Sequence, residues 1–317
     1  MSNTHTEQLI VRSSAIALFI MVLGCAWDIW WHVAVGRDSF LEAPHIPVYL
    51  GVAYLLCMSG INLFRTKDRQ WTHLFLSASL LPIGAGFDQL WHEIFGTEDI
   101  SRVIAVTSPP HLMLVAGMFL SAICILALLH RDKNHQAQEF FGSLIFACLL
   151  TLGLFYTLPF HPSFGWALLG YSGGGIVSFV FIFLALCAAN WKTTFAGATL
   201  SSLVFLLFYS IAFGAMTVSP DVIIHPHDRA PIWLFAFACI VPAVWIDVTG
   251  RKYNTGSAAV AGLLFGSILF GFSSAFFKSE FQYGLDKAVI AIIACAIGGA
   301  VAGMLLRVFQ KELSFLR

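Results

Sequence analysis

The sequence predicts an all-α, polytopic membrane fold, and three observations carry that prediction. Hydrophobic residues make up 58% of the 317 residues and charged residues only 11%, against roughly a quarter charged in an ordinary soluble domain. Apolar runs of about 18 residues or more, the length of one helical crossing of a bilayer, recur about ten times. The longest polar gaps, near 34–46, 95–108 and 218–230, are too short for a separate soluble domain. The chain 1–317 therefore reads as a single integral membrane domain whose first partner is the lipid bilayer. A net charge of zero argues against a nucleic-acid partner.

The first run, 13–33, follows a short, barely basic polar segment and lacks a small-residue cleavage pattern, so it reads as a retained helix rather than a signal peptide. Runs at 47–64, 72–94 and 109–130 follow, and with the first they make two helical hairpins over 13–130. Further transmembrane helices over 139–308 are expected at 139–158, 166–190, 194–217, 231–249, 257–277 and 287–308. Gly262/Gly266 and Gly299/Gly303 in the last two are small-residue pairs at the spacing of close helix packing. The seven cysteines fall one per apolar run with no C-x-x-C, and read as packing residues rather than thiolate ligands or disulfides.

Twelve of the 17 lysines and arginines fall on the side of both termini, and five, Arg37, Arg102, Arg229, Lys278 and Lys287, on the other. By the positive-inside rule both termini are cytoplasmic and the chain is a multi-pass protein of the cytoplasmic (inner) membrane. Seven histidines, His32, His45, His92, His111, His161, His225 and His227, then lie at or near the outer ends, beside Asp28, Asp88 and Asp228. That is a metal-capable layer toward the outer face. His5, His73, His130 and His135 fall on the cytoplasmic side as ordinary interfacial residues.

The chemistry concentrates in a motif that occurs twice in tandem. Asp28-Ile-Trp-Trp-His32 is followed by Pro44-His45, and Asp88-Gln-Leu-Trp-His92 by Pro110-His111. Residues four apart on a helix project from one face, one turn apart. Each copy thus offers one carboxylate and two imidazoles, a three-ligand set that leaves positions open for water, oxygen or substrate. That composition suits non-haem iron and is also acceptable to copper or zinc. The bland reading is that each Asp only orients its own histidine or caps a neighbouring helix. His225-Pro-His227-Asp228 reads either as a solvated loop or as a lid or source of extra ligands over the outer site, and His161 as a further ligand or none.

The run from Asp28 to Ile46, with Trp-His one turn after the Asp, Arg37-Asp38 in the loop and His-Ile opening the next helix, resembles the metal-site segment of the C subunit of copper membrane monooxygenases, the particulate methane and ammonia monooxygenases. The resemblance covers roughly residues 25–120. It implies that Asp28, His32 and His45 ligate copper. The family's second triad of Asn, His and His would correspond to Asp88, His92 and His111, with Asp replacing Asn and a longer gap to the last histidine, a departure that would favour iron or a two-metal centre. Nothing in this chain matches the family's large soluble copper-binding subunit, so it reads as a self-contained relative, a homo-oligomer or one subunit of a complex.

The expected function is a copper- or iron-dependent membrane oxygenase, with one or two ions per chain, acting through dioxygen on a small or apolar substrate. A non-enzymatic membrane metal-binding or transport protein is the alternative from another class. The almost purely apolar inner halves of the helices speak against a ligand relay across the membrane. Haem held by paired histidines and a zinc hydrolase are further readings, the first weakened by the Asp one turn from each histidine.

Overall fold

The computed structural model describes residues 5–34, 41–96, 108–157, 198–204, 206–207, 230–249, 255–272 and 285–313. Every described element is helical: α1 His5–Ala34, α2 His45–Thr66, α3 Arg69–Phe95, α4 Pro109–Leu129, α5 His135–Thr157, α6 Ala230–Thr249, α7 Thr255–Gly266 continued by a π-helical stretch Ser267–Phe272, and α8 Leu285–Leu313. Helices α1, α2, α3 and α8 outrun their apolar runs at both ends. A helix bonds its backbone internally whatever the side chains, so polar residues flanking an apolar run extend it. Among the described residues four helical segments are long and apolar enough to cross a membrane: His5–Asp28, His45–Thr66, Pro109–Leu129 and Ala288–Leu305. Residues 166–190, and most of 194–217, lie outside the described residues.

The chain divides into two compact units. The first holds α1 to α4 and α5 as far as Leu152. Here α1 packs on α2, α2 on α3, α3 on α4 and α4 back on α1, closing a ring of antiparallel neighbours. The α2–α3 turn is tight because Lys67 takes the left-handed conformation at φ 53° and returns its N–H to the Leu63 carbonyl. Asp68 then caps α3, its carboxylate accepting from the Gln70 N–H at 2.9 Å.

One end of this ring is clasped by charge. Arg12 donates to both carboxylate oxygens of Asp132 at 2.8 and 3.1 Å, Arg131 pairs with Asp68, and the Trp71 indole N–H reaches Glu7 at 3.2 Å. Burial opposes ionisation of Asp132, but the Arg12 hydrogen bond, the Asn134 N–H and the guanidinium charge outweigh it and hold the carboxyl below the usual range. The C-terminal ends of α1 and α3 and the N-terminal ends of α2 and α4 form the other end, where both motifs sit.

In the second unit α7 packs on α8 with backbones almost touching. A Cβ on Gly262 would stand 2.1 Å from the Cys295 carbonyl oxygen, and one on Gly266 2.9 Å from the Ile292 Cα. The Trp245 indole ties α6 to the Ser257 carbonyl at 3.1 Å. The Asp247 carboxylate accepts the Ala198 and Thr199 N–H groups at 3.1 and 2.7 Å, capping the helical residues at 198–204 from a neighbouring helix.

Candidate functional site

Asp28 lies toward the end of α1 and His45 opens α2. The antiparallel hairpin folds the histidine back onto the acid, with His45 Nε2 2.9 Å from Asp28 Oδ1. Such an approach requires helices that nearly touch, and Gly24 provides it: a Cβ there would stand 2.9 Å from Val48 Cγ2, 3.0 Å from the Pro47 ring and 3.2 Å from the Pro44 carbonyl oxygen. The Tyr49 ring, one turn on, lies with its centroid 5.7 Å from that of His45 and limits how the imidazole turns. Glu42, buried in the turn before α2, accepts the His45 backbone N–H through its carbonyl at 3.0 Å. His32 is in α1 one turn past Asp28, and its side chain lies outside those described.

In the second hairpin one carboxylate meets two imidazoles. Asp88 Oδ2 is 3.5 Å from His92 Nδ1 in the same helix, and Asp88 Oδ1 is 3.4 Å from His111 Nε2 at the start of α4. The two imidazole centroids are 6.2 Å apart. The acid and both histidines are largely enclosed, with side-chain exposures of 17%, 9% and 27%. Gly84 permits this closeness as Gly24 does in the first hairpin, since a Cβ there would lie 3.0 Å from Leu114 Cδ2. The other ring nitrogen of His111, Nδ1, is 2.7 Å from Ser108 Oγ.

The two hairpins make equivalent contacts through residues to which the sequence reading gave no role. Gly24, four before Asp28, faces Val48, three after His45; Gly84, four before Asp88, faces Leu114, three after His111. Gly51, six after His45, faces Met21, seven before Asp28; Gly117, six after His111, faces Leu81, seven before Asp88. The signal was present as G-x-x-x-D-x-x-W-H and P-H-x-x-x-x-x-G, each occurring twice. It is easily lost because small residues are common wherever membrane helices pack.

The fit to a metal is one of donor chemistry and spacing. An N–H to carboxylate hydrogen bond runs at 2.7–3.2 Å, so 3.4 and 3.5 Å are long for one. Two donors held by one ion at 2.0–2.2 Å and near-right or tetrahedral angles stand about 2.8–3.6 Å apart. The contacts of both hairpins fall in that window. Among the described residues, however, no three His, Cys, Asp or Glu side chains close around a single point. In the second hairpin each imidazole meets a different oxygen of Asp88.

Of the residues singled out in the sequence, Asp28 and His45 come together, as do Asp88, His92 and His111. His161, His225, His227 and Asp228 lie outside the described residues. No known family, curated protein or solved structure matches the chain.

Proposed function

We propose that this chain is a polytopic membrane oxygenase of about ten spans that activates dioxygen at an Asp/His metal centre toward the outer face and acts on a small or apolar substrate. The observation that carries the reading is the Asp88 carboxylate set between two imidazoles at ion-ligand spacing, with the same acid-to-histidine pairing in the preceding hairpin. The equivalent glycine contacts support treating the hairpins as a tandem repeat. The motif's resemblance to the C subunit of copper membrane monooxygenases points the same way.

Asp28, His32 and His45 would hold one ion and Asp88, His92 and His111 a second. Copper or iron, when bound, supplies redox chemistry with dioxygen that no side chain offers. The chain's own groups do the rest. Each aspartate offsets cationic charge in an apolar surrounding where an unpaired carboxylate is costly. Trp27 and Trp31, with ring centroids 6.3 Å apart, and Phe87, Trp91 and Phe95 form aromatic walls beside the two motifs and limit the access of water. Apolar helices give an apolar substrate a route from the bilayer. Both termini are cytoplasmic in this reading, and a second copy or partner subunits complete the assembly.

The test is reductant-dependent dioxygen uptake by purified, copper- or iron-loaded protein in detergent, with a short alkane as trial substrate. Uptake lost in Asp88→Ala and His92→Ala supports the proposal. Bound metal with no uptake in the wild type would replace it by a non-enzymatic metal-binding or transport role.

A further inference from the structure

We propose that the clasped end of the first unit binds the phosphate of an anionic phospholipid through Arg65, Lys67, Arg69 and Lys133, with the acyl chains lying along the exposed faces of α2 and α3. The proposal rests on helices in a bilayer and not on the metal chemistry, so it stands or falls apart from the oxygenase reading.

Arg65 is in the last turn of α2, Lys67 is its left-handed cap, Arg69 opens α3, and Lys133 lies in the turn between α4 and α5. All four are exposed. The ion pair of Arg131 with Asp68 holds the two turns together. Asp68 stands between Lys67 and Arg69, and Arg131 is two residues before Lys133, so that pair gathers the four cations around itself. The acids of this end are engaged inward. Asp68 takes Arg131 and the Gln70 N–H, Asp132 takes Arg12 and is 5% exposed, and Glu7 takes the Trp71 indole N–H. Glu139, one turn into α5, is partly buried. Among the described residues none of the four cations makes an ion pair. Like charges gathered this closely repel unless an anion lies between them.

The apolar surface directly below the cations selects a lipid over a free phosphate. Cys57, Ile61 and Arg65 recur at four-residue spacing on one face of α2, with Phe64 beside them. Ile61 is 46% and Phe64 83% exposed. On α3, Arg69 and Leu76 are two turns apart on one face, and Leu76 is 59% exposed. At the helical rise, Ile61 lies about 6 Å below Arg65 and Leu76 about 10 Å below Arg69. Charge at the helix ends and exposed apolar side chains one to two turns in is the order of headgroup and acyl chain in a phospholipid. A zwitterionic headgroup brings its own cation to the cluster, whereas an anionic one gains roughly fivefold in affinity per lysine or arginine near it. The rival account is that these cations only obey the positive-inside rule and are solvated one by one; it predicts no special place for this cluster.

Phosphatidylglycerol titrated into the purified full-length protein in a neutral detergent, with lipid-bound species counted by native mass spectrometry, tests the site. The wild type should bind one phosphatidylglycerol more tightly than phosphatidylcholine. Arg65→Gln and Lys133→Gln, one in each turn, should each weaken that binding roughly fivefold, and the double variant roughly 25-fold. Arg65→Lys, which keeps the charge, should retain it. Arg307→Gln removes an exposed cation of the second unit and should leave the affinity unchanged. Added salt should weaken the binding, and inorganic phosphate at matched ionic strength should not displace the lipid further. A wild type that binds no phosphatidylglycerol, or binds phosphatidylcholine equally well, overturns the proposal. So does displacement by inorganic phosphate, which would make the cluster a site for a soluble anion, or a loss in Arg307→Gln equal to that in Arg65→Gln, which would leave only the overall charge of the protein.

Discussion

Replacing Gly24 by alanine should loosen the first motif without touching any of its polar groups. The new methyl would stand 2.9 Å from Val48 Cγ2, 3.0 Å from the Pro47 ring and 3.2 Å from the Pro44 carbonyl oxygen, where carbon contacts prefer roughly 3.5–4.0 Å. The Pro47 ring and the Pro44 carbonyl cannot rotate aside, so the first turn of α2 must withdraw by about half an ångström. Overpacking of this kind costs about 1–3 kcal/mol, and the better helix propensity of alanine returns about 0.8–1 kcal/mol. A net loss of about 1 kcal/mol results, and His45 moves off its 2.9 Å contact with Asp28. Gly86→Ala is the control, because a Cβ there meets nothing within 4 Å. The assay is thermal unfolding in detergent by circular dichroism, alongside copper affinity. Gly24→Ala should melt lower and bind more weakly, while Gly86→Ala should match or exceed the wild type. A Gly24→Ala protein as stable and as tight-binding as the wild type would refute the claim that helix closeness builds the site.

Gly262→Ala should cost more than Gly24→Ala, because its methyl would lie 2.1 Å from a backbone oxygen, against 3.2 Å from the nearest backbone oxygen at Gly24; equal melting temperatures would contradict this. Asp132 is held below the usual carboxylate range, so its contribution is present above the unfolded value of about 3.9 and is lost as pH falls through the lower folded value. The melting temperature should fall below about pH 4 less steeply in Asp132→Asn than in the wild type, and parallel profiles would contradict this. In a chain stripped of its own cysteines, a cysteine at Ser39 should react with an impermeant thiol reagent on intact cells and one at Lys133 should not; the reverse pattern would put the motif end inside. With both sites loaded, the two ions should couple magnetically. A separation beyond about 10 Å, against roughly 3.5–4 Å in a two-metal centre, would leave two independent sites.

The fold was legible in the sequence where hydropathy alone decides. Stretches such as 47–64 and 109–130 appear as α2 and α4 within two residues at each end. It was less legible in α3, a helix of 27 residues whose last turns carry Asp88, Gln89, His92 and Glu93; it is not among the segments apolar enough to count as a span. The pairings of Asp28 with His45 and Asp88 with His111 could be anticipated because a repeated motif on two hairpins leaves few ways for the pieces to meet. Ser108 could not. Its hydroxyl, buried at the start of α4, meets the His111 ring at 2.7 Å, a contact that follows from packing rather than from spacing. Glycine contacts such as Gly51 against Met21 are a matter of packed distance, and a sequence carries distance only through a pattern such as the one repeated here.

The central claim is that the two Asp/His clusters hold metal, and elemental analysis of the purified, detergent-solubilised protein tests it most directly. The wild type should carry about one to two copper or iron ions per chain, and Asp88→Ala and His92→Ala should each lose about one, since an open three-ligand site seldom holds its ion with two. A wild type that binds neither metal, or variants at Asp88 and Asp28 with unchanged metal content, would contradict the account.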